Sequence, residues 1–446
     1  MNRLVFWALV SALAGFLFGF DAAVISGAEQ KIEQLWKLTK GQHGLAVSAA
    51  LWGTVFGSLF GGVPTDFFGR KKTLIFIGLM FLGSAIWSAL AGDYVSFVIA
   101  RVIGGVGVGI STVCAPLYIS EIAPSRRRGL LAGLFQFNIV FGVLIAFVSN
   151  AIISRTEILG EQQWRWMLGI EAIPALIYSL MCFLIPESPR WLIAQRGDRE
   201  GGLKIFQMIN PEMDMESLDS MVDQIAGESK PAKGAGNQRR FFSANMKIPI
   251  LLVFLIAFFN QLSGINAILY YAPRIFEKTG LEEQSALLQT IGIGVTNLIF
   301  TFVGLGLIDR LGRKTLLLIG SVGYIVSLGL CAWAFQSENF GWVPVFLFAF
   351  IAAHAIGQGA VIWVFIAEIF PNQFRATGQA LGCFVHWIFA ATLTLVFPSI
   401  VENLPAEYVF GFFAFMMVLQ LFWVLLMVPE TKGVPLEEIQ QNLGVK

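Results

Sequence analysis

Asp66-Phe-Phe-Gly69-Arg70-Lys71 recurs 243 residues later as Asp309-Arg-Leu-Gly312-Arg313-Lys314. Two further stretches repeat in the same order: Glu121-Ile-Ala-Pro recurs as Glu368-Ile-Phe-Pro, and Pro186-Glu-Ser-Pro recurs as Pro429-Glu-Thr-Lys. Three ordered matches at a nearly constant offset indicate an internal duplication. The chain is therefore predicted to consist of two similar halves, a layout typical of carriers that bind substrate between repeats.

Long runs without charged residues surround these motifs. Hydrophobic residues make up 56% of the chain and charged residues 13%, against roughly 25% charged in soluble proteins. A membrane-crossing helix needs about 20 apolar residues, whereas barrel strands are shorter and alternate. Runs free of Asp, Glu, Lys and Arg cover 41–65, 73–92, 102–120, 129–154, 172–186, 248–273, 286–308, 315–337, 339–367, 376–401 and 408–429, and the run 4–28 contains only Asp21. We predict an all-α membrane protein with twelve transmembrane helices in two six-helix pseudo-repeats.

The basic residues predict the orientation. With both termini in the cytosol, 22 of the 30 Lys and Arg residues fall on the cytosolic side, seven fall outside, and Arg101 lies within a span. Such an excess marks the cytosolic loops. We expect an N-terminal six-helix half over 1–187, a cytosolic helical linker domain over 188–246, a C-terminal six-helix half over 247–430, and a cytosolic tail over 431–446. Segments 203–209 and 218–225 have helical apolar spacing, which predicts short cytosolic helices in the linker.

Several function classes find no support in the sequence. The four cysteines lie inside apolar runs without metal-site spacing, and there is no HExxH, Walker loop or Ser/His/Asp pattern. A net charge of +1 gives no reason to expect nucleic-acid binding. We expect no enzyme activity, cofactor or metal, and a monomer in the bilayer. The absence of an Asn-x-Ser/Thr sequon and the short outer loops favour a bacterial cytoplasmic membrane.

Two charged residues lie inside predicted spans. Asp21 is about seven residues from the expected outer end of the first span, near residue 28, and Arg101 is about six from the outer start of the fourth. At about 1.5 Å per residue both lie roughly 10 Å below the same boundary, so they can meet. Each costs at least about 2.5–3.5 kcal/mol mid-span, which indicates a role. One hypothesis is a static ion pair; the other is a proton switch, because Asp21 can exchange a proton and Arg101 cannot.

Amide side chains occur inside two predicted spans of the second half. An amide both donates and accepts hydrogen bonds, so a group of amides could bind a polar ligand inside the membrane. Asn260, Gln261 and Asn266 lie in the seventh span and Asn297 lies in the eighth. Gln261 and Asn266 are five residues apart, so one wide helix face could present both. The alternative is hydrogen bonding between helices, a common use of polar residues in membranes.

Four motifs carry a family resemblance: Gly62-Val-Pro-Thr-Asp-Phe-Phe-Gly-Arg-Lys-Lys72, Pro186-Glu-Ser-Pro-Arg-Trp-Leu192, Gln261-Leu-Ser-Gly-Ile-Asn-Ala-Ile-Leu-Tyr-Tyr271 and Pro429-Glu-Thr-Lys-Gly433. In this order they resemble the sugar porter family of the major facilitator superfamily, over essentially the whole chain. The resemblance implies a rocker-switch carrier for monosaccharides or polyols.

The resemblance also implies proton coupling. Proton-coupled bacterial members have Asp at the position of Asp21, where the facilitative mammalian glucose carriers have Asn. Another acid of the coupled members matches Glu171. A proton-coupling group of Asp21, Arg101 and Glu171 is therefore expected.

The family's sugar-contacting positions match Gln261, Asn266 and Asn297, and its stacking tryptophan matches Trp363. His386-Trp387 stands where relatives have an amide followed by tryptophan, so His386 is a departure that could hydrogen-bond a hydroxyl.

Other departures concern the first half and the tenth span. Relatives have a glutamine at one of the two positions that Val143 and Phe147 occupy here. Gln136, nearer the cytosol, is a candidate sugar contact, as is Asn260. Residues 357–359 lack the prolines with which relatives bend the tenth span. His354 is expected to face other helices, and His43, in or near a loop, is given no role.

Charged residues cluster at the predicted cytosolic helix ends. Acids at one helix end that face arginines at the next could latch the two halves shut toward the cytosol, whereas topological anchoring by positive charge alone is the alternative. The predicted gate comprises Asp66, Arg70, Glu121, Arg128, Asp309, Arg313, Glu368 and Arg375.

The sequence thus predicts a proton-coupled monosaccharide importer that works by alternating access and whose partners are a sugar, protons and the lipid bilayer. A passive uniporter is the nearest alternative. A non-transporting sugar sensor is a second, disfavoured by the short stretch after the last span.

Overall fold

Helices form the whole regular structure of the part of the chain that is described. The computed structural model describes residues 3–124, 128–228, 246–371 and 374–434, together with 241, 438, 439 and 443. Within these residues twelve helical segments are long and apolar enough to cross a membrane. The predicted all-α fold with twelve spans is confirmed.

Six spans precede residue 188, and we call them the N-terminal bundle. Their helices are α1 (Arg3–Leu35), α2 (Lys40–Phe60), α3 (Gly62–Phe68), α4 (Arg70–Leu90), α5 (Tyr94–Ile122), α6 (Arg128–Ile153), α7 (Gln163–Gly169) and α8 (Ala172–Cys182). The last two form one bent span, preceded by a 3₁₀ turn over Glu157–Gln162.

Two shorter helices follow, α9 (Arg199–Ile209) and α10 (Met215–Glu228). Both begin at an aspartate whose side chain accepts a hydrogen bond from a backbone N–H in the first turn, Asp198 for α9 and Asp214 for α10. Phe206 of α9 packs with Leu218 and Val222 of α10 in a small core of their own. The predicted linker helices are confirmed.

The six spans after residue 246 form the C-terminal bundle. Their helices are α11 (Lys247–Leu262), α12 (Ile265–Tyr270), α13 (Ala272–Glu277), α14 (Glu283–Leu311), α15 (Arg313–Gln336), α16 (Val343–His354), α17 (Ala360–Ile369), α18 (Arg375–Asn403) and α19 (Ala406–Met427). We call the end of the molecule that carries α9 and α10 the linker end, and the opposite end the far end.

The first span is longer than its apolar run. The run ends near residue 28, but α1 continues to Leu35. Its last two turns carry Glu29, which is fully buried, and Glu33. Both carboxylates bond Arg274 of the C-terminal bundle, so the charges that end the apolar run are paired rather than exposed.

Two spans of the C-terminal bundle are interrupted. The seventh span breaks at Ser263-Gly264, where Gly264 has φ +85° and a Cβ would meet the ring of Phe413, so glycine is required. The tenth span contains a π-helical segment, Ala355–Gly359, between α16 and α17. This π-helical segment interrupts the regular α-helix without any proline. It lies in the stretch where the resemblance implies prolines in relatives.

The duplication is visible in two matching helix junctions at the linker end. Gly69 and Gly312 precede α4 and α15 with φ +92° and +93°, and neither offers a side chain as a cap. Glu187 accepts hydrogen bonds from the first backbone N–H of α4 at 2.9 Å, and Glu430 does the same for α15 at 2.9 Å. Burial raises the pKa of Glu187, while the backbone N–H groups that bind its carboxylate act in the opposite direction. These acids stabilise helix N-termini.

Gly69→Ala is expected to lower the free energy of unfolding by about 1–3 kcal/mol, because alanine strains at positive φ. The added Cβ would also meet the Glu187 carboxylate and lie 3.0 Å from the Trp191 ring. Thermal unfolding in detergent measures this loss. Gly83→Ala, within α4 and with no neighbouring atom within 4 Å, is the control; equal unfolding temperatures for both variants would contradict the prediction.

Candidate functional site

A buried ion pair joins the first and fourth spans. Asp21 and Arg101 are 2% and 1% exposed. The Arg101 Nη1 donates to Asp21 Oδ1 at 2.5 Å, and Nη2 donates to Oδ2 at 3.3 Å and to the Asp21 backbone carbonyl at 3.1 Å. The two charged residues, which the sequence places at the same depth in the membrane, are thus in contact in the structure.

Two further polar groups surround this pair. Glu171, between α7 and α8, is 2% exposed and lies within electrostatic reach of Asp21 and Arg101. Its Oε1 has no hydrogen-bond partner in the described part of the chain. Tyr270 of α12, buried and part of the C-terminal bundle, is also within electrostatic reach of Asp21 and Arg101. The acid predicted by resemblance therefore lies beside the pair, and a residue of the other bundle joins them.

The amides of the seventh span meet across the helix break. Asn266 Nδ2 donates to Gln261 Oε1 at 2.7 Å, because the break at Gly264 turns α12 relative to α11. The two amides are thus adjacent, as the sequence suggested, but they meet across a break and not along one uninterrupted helix. Gln261 Nε2 also lies 3.3 and 3.2 Å from the two ring nitrogens of His386.

Aromatic rings flank the Gln261–His386 contact. The ring centroids of Trp363 and His386 are 5.0 Å apart, and those of His386 and Trp387 are 4.7 Å apart. Trp387 also packs edge-on against Phe18 of α1, at 5.5 Å. Polar hydrogen-bonding groups and aromatic faces thus occur together beside the contact between the two bundles, which is the combination that a sugar requires.

Asn260 mainly joins helices. Its Oδ1 accepts from Gln261 Nε2 at 2.8 Å, and its Nδ2 donates to Gln358 Oε1 at 3.4 Å. Gln358 donates to Gln420, which donates to Ser321, at 2.9 and 2.8 Å. A chain of side-chain hydrogen bonds therefore runs from the seventh span through the tenth and twelfth to the ninth, as the helix-joining alternative anticipates.

Other candidates lie apart from this cluster. Asn297 on α14 is 9% exposed and bonds only Thr301 of its own helix, at 3.4 Å, within the described residues. Gln136 on α6 is half-buried and bonds none of the amides described here. Val143 and Phe147 are buried among apolar residues, so the N-terminal bundle contributes an apolar side.

Two matching triads occur at the linker end. Arg70 donates to both carboxylate oxygens of Glu121, at 2.9 and 2.8 Å, and to Asp66 at 3.2 Å. The repeat copy has the same pattern, with Arg313 bonding Glu368 at 3.0 and 2.7 Å and Asp309 at 3.0 Å. Each triad joins helices within one bundle and not across the two.

The remaining gate candidates are the arginines at the starts of α6 and α18. The side chain of Arg128 lies outside the described residues. Arg375 is half-buried and makes no ion pair in the described part of the chain, and its Nε has no hydrogen-bond partner there. A latch across the bundles stays a prediction.

Comparison with known proteins supplies the family. A family model described as "Sugar (and other) transporter" matches residues 7–443. The chain belongs to the sugar porter family of the major facilitator superfamily. It is a multi-pass membrane protein and a sugar transporter, not an enzyme.

This sugar porter is similar to proton symporters. It is 34% identical to the arabinose-proton symporter of Bacillus subtilis, over 99% of this chain and 95% of that protein. It is 34% identical to the D-xylose-proton symporter of Escherichia coli, over 97% of this chain and 94% of that one. Among solved structures, the partially occluded inward-open form of the E. coli xylose transporter XylE matches with a TM-score of 0.86 at 31% identity, covering 98% of this chain and all of that one.

The two bundles of the sugar porter meet at the far end through charged residues that the sequence did not single out. Arg274 of α13 donates to both oxygens of Glu29, at 3.1 and 2.9 Å, and to Glu33. Burial lowers the pKa of Arg274, but the two carboxylates more than offset it, so the net shift is upward. Gln30 donates to Glu277 at 3.0 Å, again across the bundles. The far end is thus closed by bonds between the bundles.

His43, expected in or near a loop and given no role, lies in the first turn of α2, where it is fully buried with Nε2 2.5 Å from Glu29. The sequence gives no sign of this burial, because it depends on Glu29 and Glu33 of α1 and on Tyr271 before α13. The sequence analysis also assigned no role to four residues whose hydrogen-bond partners are distant along the chain. They are Gln358, Gln420, Glu187 and Glu430.

Proposed function

We propose that this sugar porter is a proton-coupled monosaccharide importer that works by alternating access, with Asp21 as the proton site paired to Arg101. The observation that carries the proposal is the buried Asp21–Arg101 pair, with Glu171 beside it. Similarity to arabinose- and xylose-proton symporters supports the substrate class and the coupling.

Protonation of Asp21 changes the charge balance around Arg101. Arg101 stays charged, so when Asp21 takes up a proton the guanidinium loses its counter-charge. A buried unpaired cation is costly. Glu171 is the carboxylate available to compensate, because its Oε1 is unpartnered among the described residues. When Arg101 changes its partner from Asp21 to Glu171, α5 moves relative to α1 and the sixth span. This movement favours either the outward-open or the inward-open state.

The short helix α12 connects the proton site with the sugar site. Asn266 and Tyr270 lie one turn apart on it; Asn266 bonds Gln261, and Tyr270 lies near Asp21 and Arg101. Sugar that hydrogen-bonds Gln261 and Asn266 would shift α12, and the shift would reach the charged pair through Tyr270. Trp363 and Trp387 would supply the stacking faces, His386 would hydrogen-bond a hydroxyl, and Asn297 would join when the bundles close around the sugar.

The same proposal covers the orientation and the moving parts. Both termini and the linker end face the cytosol, and the far end faces outside. The bundles over 1–187 and 247–430 rock against each other, with the linker over 188–246. The latch that includes Arg128 and Arg375 forms at the linker end when the far end opens, which accords with the lack of an ion pair for Arg375 among the described residues while the far end is closed.

Proton movement tests the proposal directly. Purified protein in proteoliposomes receives an inward gradient of D-xylose or L-arabinose in a weakly buffered medium, and external pH is recorded. Symport is expected to alkalinise the medium in step with sugar entry, and a protonophore is expected to abolish the signal. Sugar entry without alkalinisation would show a passive uniporter, and binding of hexoses, pentoses and inositols without entry would show a sensor.

A further inference from the structure

A compact group of three potential metal ligands lies at the far end, outside the sugar and proton sites. One oxygen each of Glu29 and Glu33 and one ring nitrogen of His43 all lie within 4.8 Å of one another. Glu29 and Glu33 are one turn apart on α1, and His43 is in the first turn of α2. All three belong to the N-terminal bundle, so they keep their relative positions when the bundles move.

The buried ring of His43 has unused hydrogen-bonding capacity, which is a second observation at the same place. Its side chain is 0% exposed, yet neither ring nitrogen makes a hydrogen bond in the part of the chain that is described. Nε2 lies 2.5 Å from Glu29 Oε2, in ion-pair contact but without a directed hydrogen bond, and Nδ1 lies 3.8 Å from Glu33 Oε2, beyond hydrogen-bond distance. Buried imidazole normally has its nitrogens bonded.

The donor set matches one class of ligand. Imidazole nitrogen with carboxylate oxygen is a typical set for Zn²⁺, and three protein ligands leave a fourth position for water. Zinc bonds of about 2.0–2.2 Å place tetrahedral ligands roughly 3.4 Å apart. The His43 distances to the two carboxylates lie on either side of this value, so small side-chain adjustments would complete the site.

Arg274 and a metal ion are alternatives for the same carboxylates. The Arg274 Nη2 lies 2.9 Å from the Glu29 oxygen that faces His43, and it also bonds Glu33. A divalent cation and a guanidinium cannot both occupy these oxygens without strong repulsion at low dielectric. Arg274 belongs to the C-terminal bundle, so it leaves the carboxylates when the far end opens.

We propose that Glu29, Glu33 and His43 form a Zn²⁺ site that becomes available when Arg274 withdraws, so that external Zn²⁺ holds the far end open and inhibits transport. The metal site rests on geometry alone. Its effect on gating rests on the alternating access of the proposed function, and the two parts are measured separately.

Metal binding is measured first, by calorimetric titration of purified protein with ZnCl₂. Arg274→Gln is expected to bind Zn²⁺ at least about 10-fold more tightly than wild type, because the competing cation is gone. His43→Gln in the Arg274→Gln background is expected to weaken binding by about 10- to 100-fold or more, since one ligand of three is lost. Glu283→Gln is the matched control: this acid lies nearby in an ion pair with Lys31 but outside the triad.

Two binding results would overturn the site: no tightening in Arg274→Gln, or a loss in Glu283→Gln as large as in His43→Gln. Gating is measured as sugar uptake by intact cells with ZnCl₂ in the medium. Inhibition of wild type that His43→Gln relieves supports the gating part, and uptake unaffected by Zn²⁺ overturns it. The alkalinisation experiment, run without metal, remains independent of both results.

Discussion

Asp21→Asn is expected to abolish uphill sugar accumulation while leaving sugar exchange close to the wild-type rate. A pH gradient of one unit is worth about 1.4 kcal/mol per proton, so one proton per sugar supports about 10-fold accumulation. Asparagine keeps the shape and one acceptor oxygen for Arg101 but cannot exchange a proton. In proteoliposomes with an imposed pH gradient, the ratio of internal to external sugar is expected to fall to about one.

The control for this experiment is Asp93→Asn. Asp93 precedes α5, accepts a hydrogen bond from the Ser96 backbone N–H at 2.9 Å and is exposed at the far end, so Asp93→Asn removes a carboxylate of the same span, keeps a capping side chain and does not touch the buried pair. Accumulation that persists in Asp21→Asn would remove Asp21 from coupling. Loss of exchange together with a lowered unfolding temperature would instead favour the static ion pair, whose disruption costs about 3–5 kcal/mol.

Gln261→Leu is expected to weaken sugar binding by about 10- to 100-fold, because hydrogen bonds from a buried amide are worth about 1–3 kcal/mol when one partner is left unsatisfied. Leucine keeps most of the volume but removes the contacts with Asn266 and His386. Equilibrium binding of D-xylose or L-arabinose, followed by tryptophan fluorescence, measures the change, since Trp363 and Trp387 flank the same histidine.

Gln358→Met separates ligand contact from helix joining. Gln358 is fully buried in the same chain of amides, and its side chain bonds Asn260 and Gln420 but no other residue in the described part of the chain. This variant is expected to lower the unfolding temperature while changing sugar affinity less than Gln261→Leu does. Equal loss of affinity in the two variants would mean that the network as a whole, and not Gln261, governs binding.

The sequence predicted the membrane fold well because the decisive signals are local. Long uncharged runs, the charge bias of the loops and the repeated motifs are all visible along the chain. The pairing of Asp21 with Arg101 was also accessible, since depth in a helix follows from counting residues. The end of α1 was not accessible in this way, because Glu29 and Glu33 are polar in the sequence and are paired in the fold with Arg274, which lies 245 and 241 residues away.

At the candidate site, the sequence could not predict which side chains on different helices contact one another. The break at Gly264 changes the angle between Gln261 and Asn266, and nothing in helical spacing predicts that angle. The direction in which Asn260 points depends on Gln358 of the tenth span. The linker-end triads were predicted as a group, but which acid bonds which arginine required the packing of each bundle.

The matching helix junctions bear on the history of the molecule. Glu187 and Glu430 serve the same backbone position at the same 2.9 Å distance, and the linker-end triads also match, although the polar side chains deeper in the two bundles differ. Gene duplication would produce this arrangement if both copies kept these helix junctions and then acquired different polar residues in the membrane interior. One copy holds the buried acid–arginine pair and the other holds the cluster of amides, so under the proposed function substitutions that alter proton coupling and substitutions that alter sugar choice fall on different halves of the chain.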